Sequence, residues 1–375
     1  MKKKIYYIGL VAIVFILLSA YAWLKKADEY SDAERRPLEQ FPVISVDKIL
    51  NGKLMTEFED FSLDQFPLRE RFRKLKAFTR LNLFAQKDNN DIYKANGHLS
   101  KLEYPMYEEM LDLAGEKFEK LYQSYLKDTD VKVYFSIVPD KNYYLAAENG
   151  YLSMDYDAFY DKMQSLTPYM QFIDLRDTLS LDDYYETDTH WRQEALLPVA
   201  NKLVDAMNGT DKGMLSWEYE TVTATEDFNG VYVGQYALKV KPDPLNYLTN
   251  EKLQSCIVTS YSSGKAKEIP MYSVDKVAGK DPYEMFLNGS EAVITIENPN
   301  AESNGITNKE LVVFRDSFGS SLIPLLVENY AKITVLDIRY MSSDAIENFV
   351  EFTNQDVLFL YSTLVLNSST SLRIN

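Results

Sequence analysis

An uninterrupted apolar run opens the chain. Ile5 to Leu24 carries no charged residue, with Lys2, Lys3 and Lys4 before it and Lys25 and Lys26 after it. Twenty residues at a helical rise of about 1.5 Å span a bilayer core of about 30 Å. Tyr6, Tyr7, Tyr21 and Trp23 stand near its ends, where amphipathic rings favour the membrane interface. A cleaved signal peptide is the alternative, but the run is long for a signal core, and the A-Y-A at Ala20 and Ala22 is a poor cleavage site. The pattern predicts an uncleaved anchor over residues 1–26. Residues 27–60 are charged and punctuated by Pro37 and Pro42, which reads as a stalk or extended lead-in. Leu68, Phe72, Leu75, Phe78 and Leu81 then recur three or four apart with Arg and Lys between them. That spacing predicts an amphipathic helix between Phe61 and Phe84 with a solvated basic face.

Another helical stripe runs through Met110, Leu113, Ala114, Phe118, Leu121 and Tyr125. The texture then changes. Val131 to Val138 is β-rich and stops at Pro139. A helix over 156–166, a short strand over 172–175, a loop carrying Asp188 and His190, and a helix over 191–207 are expected next. Pro198 either kinks that last helix or marks its first turn. Residues 209–300 alternate in short runs with Gly230 and Gly234, which predicts a mostly β insertion or subdomain. From Leu311 the pattern reads strand, helix over 320–330, strand over 333–338, helix over 343–352 and strand over 357–361. Strands alternating with helices predict an α/β domain, its parallel sheet covered on both faces. The insertion would split it into residues 106–208 and 301–375, with 27–105 as the lead-in.

Composition narrows the function. The 375 residues are 46% apolar and 26% charged, enough for a sizeable core. Forty Lys and Arg against 56 acids give a net charge of −16, which disfavours nucleic acid. The 28 tyrosines fit half-buried packing better than sugar stacking. Cys256 is alone, so no internal disulfide forms. With two histidines and no CxxC or HExxH spacing, neither a metal nor a cofactor is expected.

Histidine scarcity then directs attention. A general base near neutral pH is most often His. His98 lies in the turn-like A-N-G-H-L, where packing or surface exposure explains it. His190 lies in Thr187-Asp188-Thr189-His190-Trp191, where the aspartate two residues earlier can fold back on the imidazole. A surface Asp and a capping Thr explain the same residues equally well. Ser317 sits in Arg315-Asp316-Ser317-Phe318-Gly319, between a predicted strand and a predicted helix, at the carboxyl end of a parallel strand where ligands gather. Its bland reading is a helix N-cap.

Taken together, D-S-F-G and D-T-H-W resemble the SGNH-hydrolase-like proteins of exopolysaccharide O-acetylation, the alginate type and especially their Gram-positive DHHW relatives. Glu34-Arg35-Arg36-Pro37-Leu38, Phe66-Pro67-Leu68-Arg69-Glu70, Val138-Pro139-Asp140-Lys141 and Tyr283-Glu284-Met285-Phe286-Leu287-Asn288-Gly289 extend the likeness. The resemblance implies a catalytic set of Ser317, His190 and Asp188. It also implies a circular permutation, in which the strands near 131 and 172 are the last two of the ordinary order and those at 311, 333 and 357 the first three. Three departures stand out. Arg315 replaces the usual glycine before Asp-Ser, Thr189 stands where the DHHW name expects histidine, and the usual oxyanion Gly and Asn have no clear counterparts. Arg339, Tyr340, Ser362, Thr363, Lys141, Tyr144 and Trp191 are the candidates for oxyanion or substrate binding. The expected activity is O-acetylation of a cell-surface or secreted polysaccharide, outside a single-pass anchor, supplied by a membrane-bound O-acyltransferase. A carbohydrate acetyl esterase and a non-catalytic glycan-binding or assembly protein are the alternatives. A C-terminal carbohydrate-binding module is not expected, since the chain closes soon after the strand at 357.

Overall fold

The computed structural model describes residues 2–208 and 216–374. The predicted insertion therefore opens on residues 209–215, outside the described part. The side chains of Lys2, Lys3 and Lys4, which flank the apolar run, and of Trp23, expected at the membrane interface, lie outside it too. The chain divides into two compact units, residues 1–90 with 233–239 and residues 91–232 with 240–375.

The first unit begins with α1 (Lys2–Leu24), one helix long and apolar enough to cross a membrane. The extended stalk expected after it holds a short antiparallel pair, Tyr30–Ser31 with Arg36–Pro37, and turns helical only in its second half, with a short helix Val46–Leu50 and then α2 (Lys53–Asp64). Phe41 explains the difference. Its ring meets Phe58 and Phe61 edge-on at 6.1 and 5.4 Å, so aromatic packing folds a segment whose charge pattern looked solvated. The single helix expected from 61 to 84 is broken. α2 stops at Asp64, Pro67 cannot continue a helical ladder, and Leu68 adopts φ 60 before α3 (Arg69–Phe78) restarts.

The second unit opens with a hairpin, β1 (Ile92–Ala95) and β2 (His98–Lys101), and helix α4 (Glu108–Leu121). Strand β3 (Lys132–Val138), helices α5 (Lys141–Asn149) and α6 (Tyr156–Leu166), the two-residue β4 (Gln171–Phe172) and α7 (Leu197–Asn208) follow. The helix expected from residue 191 thus starts at Leu197, which puts Pro198 in its first turn, where a missing N–H costs nothing. Next come β5 (Glu220–Phe228) and β6 (Asp243–Thr249), paired antiparallel as a separate ribbon, then β7 (Ile257–Ser260), β8 (Lys267–Ile269) and β9 (Val293–Glu297). The chain finishes with β10 (Glu310–Arg315), α8 (Gly319–Leu326), β11 (Lys332–Leu336) and β12 (Asp356–Ser362). The helix expected over 343–352 is only a 3-10 turn, Ser343–Asn348.

One sheet gathers eight strands in the order β8-β7-β9-β11-β10-β12-β3-β4. From β11 to β4 all neighbours are parallel; β9, β7 and β8 extend the β11 edge antiparallel. The predicted β insertion is therefore in part an edge of the main sheet. Renumbered from β10 as first strand, the parallel order is 2-1-3-4-5, the doubly wound order that binds ligands where strand direction of travel reverses. The strands take the places that the resemblance implies, those at 311, 333 and 357 as the first three and those near 132 and 171 as the last two. Alternation along the strands separates two cores. Leu311, Val313, Leu358 and Leu360 face α7 and α8, while Val312, Phe314, Val357 and Phe359 face α4 and α6.

Candidate active site

The topological switch point lies between β10 and β12, and Ser317 follows β10 directly. The turn after the strand is organised by Asp316, not by the serine. Buried Asp316 accepts the Phe318 N–H at 3.0 Å, the Ser362 N–H at 2.7 Å and the Ser362 hydroxyl at 2.6 Å. The position capping α8 is Phe318, with no side-chain cap, so Ser317 is not used as an N-cap. Its hydroxyl lies 2.8 Å from His190 Nε2. His190 Nδ1 lies 2.6 Å from Asp188 Oδ1. A carboxylate can only accept, so Nδ1 donates to it, and in the neutral imidazole Nε2 then presents its lone pair to the Ser317 hydroxyl.

The loop that carries Asp188 and His190 is closed at its base by bridge pairing of Tyr184 with Trp191 and by the Tyr185 N–H on the His190 carbonyl at 3.1 Å. Every residue of Thr187 to Trp191 is pinned. Asp243 accepts the amides of Glu186 and Thr187 and the Thr187 hydroxyl. Asp188 Oδ2 accepts the Val231 N–H at 2.8 Å, and the Tyr232 hydroxyl donates to Thr189 at 3.0 Å. Trp191 is fully buried; its Nε1 donates to the Phe318 carbonyl and the Ser321 hydroxyl, tying the loop to the turn that carries Ser317. Gly230 packs so closely behind the loop that an added Cβ would sit 2.4 Å from the Asp188 Cα.

The other candidates fall into place less uniformly. Trp191 is an internal brace, not a substrate-facing ring. Ser362 is taken up by Asp316, and the Thr363 hydroxyl donates to buried Asp140 at 2.6 Å. Lys141 is buried, neither solvated nor lining a cleft. Its Nζ donates to the carbonyls of Tyr185 and Glu186, and burial pushes the ammonium down to about 7 against the pull of Asp188, Asp243 and Glu186. Tyr144 packs edge-on against Tyr143. Arg339 forks onto Asp337, with its guanidinium 5.4 Å from the half-exposed Tyr340 ring. Arg315, the departure from the usual glycine, is buried and reaches the Asp337 carboxylate and the Gly289 carbonyl. Burial lowers its pKa. Among the described residues no cluster of three metal-ligating side chains occurs.

Tyr283 was not singled out by any motif logic beyond its place in a resembling segment. Its ring stacks on the His190 imidazole at 3.8 Å and 7°, and its hydroxyl lies 2.8 Å from Ser321. Phe318 flanks the same imidazole at 4.8 Å. Gly230, Asp243 and Tyr283 all come from the inserted stretch, far from the motifs in sequence.

No family model and no curated protein matches the chain. Solved structures do. A DHHW family protein from Eubacterium siraeum superposes with a TM-score of 0.58 at 19% identity, over 76% of this chain and 94% of its own. PatB1 from Bacillus cereus, in a structure with a sulfonyl adduct, gives 0.57 at 17% identity, over 73% of this chain and 97% of its own. At such identities the likeness concerns architecture: the chain shares the fold of a DHHW family protein and of PatB1, a doubly wound α/β sheet, and carries an N-terminal helix long and apolar enough to cross a membrane.

Proposed function

We propose that this protein is a serine acyl-transfer enzyme that O-acetylates a cell-surface or secreted polysaccharide. The observation that carries the reading is the continuous relay from the Ser317 hydroxyl through His190 to Asp188. Ser317 Oγ attacks the acyl carbonyl as His190 Nε2 takes its proton, and the donor's leaving oxygen departs with that proton. A sugar hydroxyl then attacks the acetyl-serine, giving its proton to His190, and Ser317 is regenerated. Asp188 holds the imidazole in the required tautomer. The polysaccharide, and a membrane-bound O-acyltransferase as acetyl donor, follow from the D-T-H-W and D-S-F-G resemblance. An anchored body outside the cell suits both.

A sulfonyl fluoride at low concentration tests the nucleophile directly, since a hydroxyl activated by a neighbouring base reacts far faster than an ordinary side chain. The full-length protein in detergent is expected to gain one sulfonyl group on Ser317, and Ser317→Ala and His190→Ala are expected to gain none. In cells, both variants are expected to abolish polysaccharide acetylation, with a loss of about 10⁴-fold or more in turnover. Equal labelling of wild type and Ser317→Ala, with unchanged acetylation, would sink the reading. Acetyl release to water without acceptor modification would instead identify an esterase.

A further inference from the structure

Among the described residues, fifteen large apolar side chains between Phe41 and Phe84 are exposed, against six in all the rest of the chain beyond them. The helix α3 is built inside out. Phe72 and Leu75 lie about 60° apart at the helical repeat, yet they are 45% and 57% exposed, and Leu68 in the turn before them and Phe78 after them are 54% and 55% exposed. The inward side carries Ala77, which is buried, and Arg69 and Arg73, which turn to the Glu34 carboxylate. A helix dissolved in water would show the reverse.

Two further observations say what covers this stripe. The first is a tether. The Asp28 N–H donates to Gln65 Oε1 at 2.8 Å, and Gln65 Nε2 donates to the Asp28 carbonyl at 2.9 Å. Since α1 ends at Leu24, four residues of chain hold Asp28 within about 14 Å of the end of the membrane-crossing helix, and Gln65 is hydrogen-bonded to it there. Phe66, Leu68 and α3 begin there. The second is charge. From Gln65 to Lys87 there are seven Lys and Arg and one acid, Glu70, in a protein of net charge −16. Arg71 and Lys76 border the apolar stripe on its two sides, as cations do on helices that lie in an interface.

We propose that α3 and the Phe66–Leu68 turn lie in the headgroup layer of the membrane that α1 crosses, apolar stripe toward the acyl chains and flanking cations on anionic headgroups. The inference rests on α1 as an anchor and is independent of the acyl-transfer reading. It is tested in the full chain carrying Cys256→Ser, with a fluorophore at Phe72→Cys or Leu75→Cys, reconstituted in phosphatidylcholine vesicles with and without phosphatidylglycerol. Ile13→Cys, inside α1, serves as the reference. Lipids bearing a quencher on the acyl chain are expected to cut emission about two-fold at 72 and 75, more strongly with phosphatidylglycerol, and at 13 regardless of headgroup. Quenching at 13 without quenching at 72 and 75 overturns the proposal. Protection of 72 and 75 only in native membranes overturns it too, and assigns the stripe to a protein partner. An unquenched label at 13 overturns both the docking and the anchor beneath it.

Discussion

Ser317 and Ser362 both stand at the carboxyl ends of neighbouring parallel strands, yet only one of the two hydroxyls meets an imidazole. Ser362 gives its amide and hydroxyl to Asp316, which needs partners because it is buried. Ser317 is left facing His190. The same contrast governs the aromatic residues. Trp191 uses its N–H to brace the turn, whereas Tyr283 lies flat on the imidazole and fixes the plane in which Nε2 meets the hydroxyl. Tyr283→Phe keeps that face and loses one hydrogen bond, so near-normal turnover is expected with a stability loss of about 1 kcal/mol. Tyr283→Leu removes the stacked plane, and turnover is expected to fall about 10–100-fold while the Ser317 site still labels slowly. If Phe and Leu variants lose activity equally, the hydroxyl and not the ring is what positions His190.

At the level of elements, the site is an assembly of three pieces: the turn after β10, the loop closed by Tyr184 and Trp191, and the inserted stretch behind them. Gly230 shows how tight that assembly is. An added methyl would meet the backbone of Thr187 and Asp188 at 2.4 Å, far inside contact distance. Gly230→Ala is expected to shift the Asp188 carboxylate off the His190 ring, with a stability loss of about 1–3 kcal/mol and a larger fall in sulfonyl labelling than in the far-ultraviolet signal of the fold. A variant that labels at the wild-type rate would show that the loop can yield without consequence. Arg315 explains how the sheet accepts a bulky residue at a position usually glycine. Asp337 and the Gly289 carbonyl receive its guanidinium, so the charge is buried with partners.

For the whole molecule, the two histidines carry separate duties. His190 stands between Ser317 and Asp188. His98, on β2, is buried, and burial followed by the nearby Lys141 charge pushes its imidazole down from 6.5 to about 4. Between those two values the unfolded chain binds a proton that the folded one does not, so stability rises with pH across that window and is lost as pH falls from 6.5 toward 4. The full cost is roughly 3 kcal/mol. Thermal unfolding of His98→Gln is therefore expected to fall less steeply than wild type between pH 6.5 and 4. Parallel slopes would mean that His98 takes its proton without opening the fold.

Much of this was readable from local pattern, and for a physical reason. Continuous apolar, β-rich runs mark strands buried on both faces and period-3.6 spacing marks the buried face of a helix, so β3, β10, β12, α4 and α6 were placed to within a few residues, and the scarcity of histidine led to His190. Pattern fails where burial is set by distant partners. Phe41 made a folded helix of the expected stalk, Pro67 divided a stripe that looked continuous, and the β insertion became a sheet edge because β9 found β11. The secondary candidates around the triad suffered in the same way, since a hydroxyl near a strand end looks alike whether it faces a ligand or a buried carboxylate. Order along the chain announced Asp188, His190 and Ser317; only folding brought residues 127 apart to 2.8 Å and set Tyr283 and Gly230 around them.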